Sequence, residues 1–117
     1  MSVYNLANKL AREIKDSDEY QNYLKIRKKI MQDENTLEML KDFQKQQMNL
    51  QSKQLSGQDI TEEEKENLQK IQNLVNLNND IQEYLEAERR INLMLSDLQR
   101  ILFSDLKLGV FESEEEK

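Results

Sequence analysis

The sequence predicts an all-α fold, and three observations predict it. The 117 residues include no proline and two glycines, Gly57 and Gly109, too few for the tight turns of a β-rich fold. Leu, Lys, Glu and Gln dominate the composition, and all four are good helix formers. Between Ile81 and Leu106, the positions Ile81, Tyr84, Glu88, Ile91, Leu95, Leu98 and Leu102 recur at alternating spacings of 3 and 4, a heptad seam. The expected architecture is a bundle of four to five amphipathic helices with a long C-terminal helix. A single domain is expected over residues 1–111, with a disordered acidic tail over 112–117.

Composition also excludes several function classes. Leu, Ile, Val and Phe total 31 residues, about a quarter of the chain, which supports a core despite a charged fraction of 34%. There is no cysteine and no histidine, so disulfides, thiolate metal sites and imidazole catalysis are absent. The N-terminus lacks the layout of a signal peptide and no apolar run reaches membrane-span length. A soluble, cytoplasmic protein is expected. Net charge is −6, with residues 1–58 at +2 and residues 59–117 at −8. Direct nucleic-acid binding is disfavoured, since only Lys25, Arg27, Lys28 and Lys29 form a cationic cluster.

The first helix, from Val3 to about Lys15, places Val3, Leu6, Ala7, Leu10, Ala11 and Ile14 on one stripe, and Ser2 can cap it. Its polar face is mixed in sign, which fits a packed bundle helix better than a membrane-surface one. Ser17 or Asp16 caps a second helix, from about Asp18 to Gln32, with acids in its first turn. Its buried side is expected to hold Tyr20, Tyr23 or Leu24, the stem of Arg27, Ile30 and Met31. The cations Lys25–Lys29 suit its C-terminal half as a solvated face, or as a contact for an acidic partner. The cluster Asp33–Thr36 starts a third helix bearing Leu37, Leu40, Phe43 or Gln44, Gln47 and Leu50. Beyond Phe43 amides replace apolar residues, and the helix is expected to fray before Gly57.

Thr61 and Glu64 form a capping box for a fourth helix, although Lys65 at N4 leaves Ile60 without a staple partner. That helix carries Leu68, Ile71 and Leu74 or Val75. Asn78-Asn79-Asp80 should interrupt it, with Asp80 capping the long helix; an unbroken helix from Glu62 to Leu106 is the alternative. Leu108, Gly109, Val110 and Phe111 are expected to dock back onto the bundle.

No catalytic, cofactor or metal constellation is present. Glu62, Glu63, Glu64 and Glu66 could hold a divalent cation, but a capped, acid-rich first turn explains them better. Glu88 costs stability in an apolar seam unless Arg89, Arg90 or Arg27 pairs with it. Its expected role is to set register, as a polar a-position does in a coiled coil.

The N-terminal VYNLANKLAREIKDSDEY, the passage Asp33–Phe43 and above all NDIQEYLEAERRINLMLSDLQRIL over 79–102 resemble the YlbF/YmcA family, particularly its YheA branch. The core Tyr84-Leu85-x-Ala87-Glu88, followed by Ile91, Leu95 and Leu98, is similar to the family's C-terminal signature. The match covers roughly Val3–Phe111. The resemblance implies an all-helical, intertwined homodimer of Gram-positive bacteria that regulates through protein contacts. The YlbF and YmcA members join a third protein in a complex modulating an endoribonuclease, and are associated with iron–sulfur clusters held by cysteine. This chain lacks cysteine and departs from that pattern. The leading expectation is a non-enzymatic, homodimeric interaction or adaptor protein without cofactor. The alternative is an accessory factor of an RNA-processing complex acting through Lys25, Arg27, Lys28 and Lys29.

Overall fold

The structure, a computed structural model, describes residues 2–109. Five helices follow one another: α1 (Val3–Asp16), α2 (Asp18–Met31), α3 (Glu34–Ser56), α4 (Glu62–Asn76) and α5 (Asn79–Phe103). No strand occurs among the described residues. Each start is fixed by a side chain that takes up an otherwise unpaired backbone N–H. Ser2 accepts from Asn5 at 3.1 Å, Ser17 from Tyr20 at 3.2 Å, and Asp33 from Thr36 at 3.2 Å. Thr61 and Glu64 form the reciprocal capping box. The fifth cap differs from expectation. Asn78, not Asp80, accepts from the Ile81 N–H at 3.0 Å; Asp80 lies inside the first turn and pairs with Lys29 at 3.0 Å. The interruption between α4 and α5 is real, so the unbroken helix is excluded. α3 runs on to Ser56, and Gly57 ends it at φ 74°, a left-handed conformation that glycine adopts without a Cβ clash.

The core gathers Ile26, Ile30, Leu40, Phe43, Ile71, Val75, Ile81, Tyr84 and Ala87. α2 and α5 form its axis and run antiparallel, since Lys29 meets Asp80 while Asp18 and Asp97 line one cleft at the other end. On α2 the buried pair is Ile26 and Ile30. Arg27 is exposed, Met31 is 50% and Leu24 37% exposed, and Tyr20 and Tyr23 are half-buried. The buried stripe therefore lies one residue off the Arg27 register. On α4, Val75 is buried and Leu74 is 52% exposed. Gln82 of α5 donates to the Val75 carbonyl at 3.0 Å, tying the two helices at their joint.

The radius of gyration is 19.3 Å, with extents of 52 × 38 × 17 Å, against about 13 Å for a compact domain of this length. Two elements account for the spread. α1 touches α2 alone and has no buried residue, so it is not the fully packed bundle helix its stripe predicts. α5, at roughly 38 Å, outruns α2, at roughly 21 Å. Leu106 and Leu108 are 48% and 61% exposed. Val110, Phe111 and the tail 112–117 lie outside the described residues.

Candidate functional site

The long seam divides at its middle. Ile81 and Tyr84 are buried in the core, and Ile91 is 8% exposed. Beyond it, Leu95 and Leu102 are 44% and 54% exposed, while Leu98 is half-buried. Leu93, Ile101 and Phe103 add 53%, 65% and 53% exposed side chains on the same distal stretch. A second unpartnered stripe lies on α1, where Val3 and Leu6 are 79% and 52% exposed and Leu10 and Ile14 are half-buried. Among the described residues, α1 and distal α5 thus carry large apolar side chains without cover, a pattern that marks interaction surfaces.

Glu88 sits where the buried and uncovered halves of the seam meet, and it is half-buried. No arginine pairs with it, because Arg89 and Arg90 both turn to Glu86, at 2.8 and 3.2 Å. Those two guanidinium groups hold the Glu86 carboxyl at about 2. Glu88 instead faces a tyrosine pair, in which the Tyr23 and Tyr84 hydroxyls lie 3.1 Å apart. Burial, the hydrogen bond with Tyr23 and the negative charge of Glu88 together push the Tyr84 phenol up. The neighbour on which the Glu88 charge acts is therefore a tyrosine, not the expected arginine.

The cationic cluster on α2 is only partly available. Lys29 is committed to Asp80, whose hydrogen bond and charge raise its pKa. Lys25, Arg27 and Lys28 are exposed and make no ion pair among the described residues. They present a small positive face at the C-terminal end of α2.

The α3–α4 hairpin carries the strongest polar lock. Glu64 receives Lys53 at 2.5 and 2.6 Å, Asn49 at 2.8 Å and the Thr61 N–H at 3.1 Å. Lys53 foremost, then the Thr61 N–H and Asn49, hold its carboxyl at about 2, below its ordinary 4.5. A group with a depressed folded-state pKa stabilises above its unfolded value and loses that effect as pH falls through the folded one. The urea midpoint should therefore fall between pH 5 and pH 3 by more in the wild type than in Glu64→Gln, whose amide can still cap α4. Equal falls in the two proteins would contradict this assignment. Beside the lock lies a groove of about 560 Å³ lined by the amides Gln46, Asn49, Asn67, Gln69 and Gln72 together with the apolar Leu50, Ile60 and Leu68. Its charged members, Glu64 and Lys65, are already paired within the chain.

No group of three or more Asp and Glu residues is placed to hold a metal ion among the described residues. The absence of cysteine also leaves no thiolate to hold an iron–sulfur cluster. No helix among the described residues is long and apolar enough to cross a membrane.

Comparison with known proteins agrees with this architecture. A protein of unknown function (DUF964) from Bacillus stearothermophilus shares the fold, with a TM-score of 0.72 at 24% identity over 87% of this chain and 90% of that one. A UPF0342 protein of Halothermothrix orenii is 55% identical over 114 residues, covering 97% of each chain. Another, from Desulfitobacterium hafniense, is 39% identical over 102 residues, 87% of this chain and 82% of its own. A third, from Bacillus pumilus, is 33% identical over 107 residues. The family model described as "Control of competence regulator ComK, YlbF/YmcA" matches residues 3–107. The chain belongs to the YlbF/YmcA family and is similar throughout its length to that family's UPF0342 proteins.

Proposed function

We propose that this protein is a non-enzymatic, cytoplasmic interaction protein that acts as a homodimer and regulates through protein contacts. The observation that carries the reading is the uncovered apolar surface of α1 and distal α5. The chain exposes 9697 Å², whereas a compact monomer of 14.0 kDa exposes roughly 6,700 Å². Counting residues 1 and 110–117 as fully exposed accounts for only about 1,500 Å² of the difference, at roughly 1.45 Å² per dalton. The remaining roughly 1,500 Å² falls within the range of about 1,000–2,500 Å² that each partner contributes to an obligate homodimer. Two copies bearing different affinity tags, expressed together in equal amounts, should co-purify when either tag is captured. Recovery of only the captured tag would defeat the reading.

A second reading is an accessory role in an RNA-processing complex. It is favoured by the exposed cations Lys25, Arg27 and Lys28, which an acidic partner would fit. Reversing these three charges should abolish recovery of ribonuclease components from native cells. Their absence from the wild-type capture as well would argue against this role.

A further inference from the structure

We propose that the outer halves of α3 and α4 form a latch: this hairpin tip opens as a unit while the core stays folded, and the contact of Lys53 with Glu64 is its catch. The latch is built within one chain and does not rest on the homodimer reading. Burial along the two helices is the first support. The buried residues of α3 are Thr36, Leu40 and Phe43, and those of α4 are Ile71 and Val75. All five lie on the core side of the hairpin, where Gln82 of α5 also ties α4 at the Val75 carbonyl. From Gln44 to Lys70 no residue is buried. Leu50, Ile60 and Leu68 are half-buried there, whereas Met48 and Leu55 are 71% and 85% exposed. Segments with so few buried apolar contacts lie at the low end of a fold's local stability and open ahead of the rest.

The polar contacts give the second support. Among the described residues, the hydrogen bonds that cross from α3 to α4 all end on Glu64, which receives Asn49 and Lys53. The same carboxylate accepts the Thr61 N–H at 3.1 Å, so one side chain joins both helices and the turn between them. The Lys53 and Glu64 side chains are 24% and 26% exposed, less than those of any other ion pair among the described residues. Their attraction is correspondingly less screened by water and salt.

Local bonds at the turn make the tip one piece. The Gln58 N–H donates to the Lys53 carbonyl at 2.9 Å, Ser56 donates to the same carbonyl at 3.2 Å, and the capping box holds the start of α4. Lys53 and Glu64 therefore each take part in closing a helix end as well as in joining the helices. Loss of their contact loosens both ends together. Opening parts the walls of the groove and uncovers Leu50, Ile60 and Leu68 at once.

Amide hydrogen exchange on the full-length protein, followed residue by residue by NMR, tests the latch. Tip amides (Gln51–Ser56 and Glu66–Lys70) are compared with core amides (Ile26–Ile30 and Tyr84–Ile91). In the wild type the tip should be about tenfold or more less protected than the core, yet clearly slower than an unstructured chain. Ile30 is 2% exposed, and Ile30→Val should speed core exchange by about threefold while leaving the tip unchanged, because the core is intact in the open state. Lys53→Met keeps the apolar stem and removes the catch. It should speed tip and core alike by about threefold, since the closed state is the reference for both openings. Equal protection of tip and core in the wild type would overturn the latch, as would an unprotected tip. An Ile30→Val effect on the tip as large as on the core would overturn it too. Unchanged tip exchange in Lys53→Met would remove Lys53 as the catch. The wild-type and Ile30→Val measurements decide the matter even should Lys53→Met fold poorly.

Discussion

Replacing Phe43 with alanine is expected to lower the unfolding free energy by about 3–5 kcal/mol. Phe43 is 3% exposed and belongs to the core shared by α2, α3, α4 and α5. Among the described residues ten apolar side chains are buried, a small core with little neighbouring mass to collapse into the space. Domains of this size are stable by about 5–15 kcal/mol in total, so the variant should be close to unfolding at 37 °C. Urea denaturation should show a lower midpoint at an unchanged slope, since the surface exposed on unfolding is nearly the same. A midpoint within error of the wild type would mean that Phe43 is not central to the core.

The double substitution Leu95→Asp/Leu98→Asp is expected to act on assembly more than on the subunit. Both positions lie beyond the buried part of the seam, with Leu95 44% exposed and Leu98 half-buried. Burial of a leucine is worth about 1.5–3 kcal/mol, so losing two and inserting two charges should weaken the dimer at least 100-fold. Helical content measured by circular dichroism at high protein concentration should be largely retained. Loss of helix with no change in association would place these leucines in the subunit core instead.

The two variants separate what the sequence made legible from what it did not. Helix starts were legible because capping is local: Ser2, Ser17, Asp33 and Thr61 each act on an N–H three residues ahead. The α4–α5 joint was harder, since Asn78, Asn79 and Asp80 are all capping residues. Asn78 takes the cap, and Asp80, in the first turn, pairs with Lys29, 51 positions earlier. The register of α2 was misread for a similar reason. Its apolar side chains cover more than one face, and the antiparallel contact with α5 selects Ile26, which the flanking Lys25 and Arg27 disguise as part of a charged run. The heptad seam was visible in full, but periodicity carries no mark of where an in-chain neighbour ends. That boundary follows from the shorter length of α2. The α1 stripe likewise marks an apolar face without showing which element covers it. Glu88 stands out in the seam as a carboxylate among apolar positions, and the group its charge acts on is Tyr84 rather than an arginine. Contacts made through folding lie beyond the reach of spacing alone.

The central claim is that the uncovered faces of α1 and distal α5 are closed by a second copy. Light scattering on the full-length protein at micromolar concentration measures this most directly. The account predicts a mass twice the 14.0 kDa of the chain, and a mass of 14.0 kDa would contradict it.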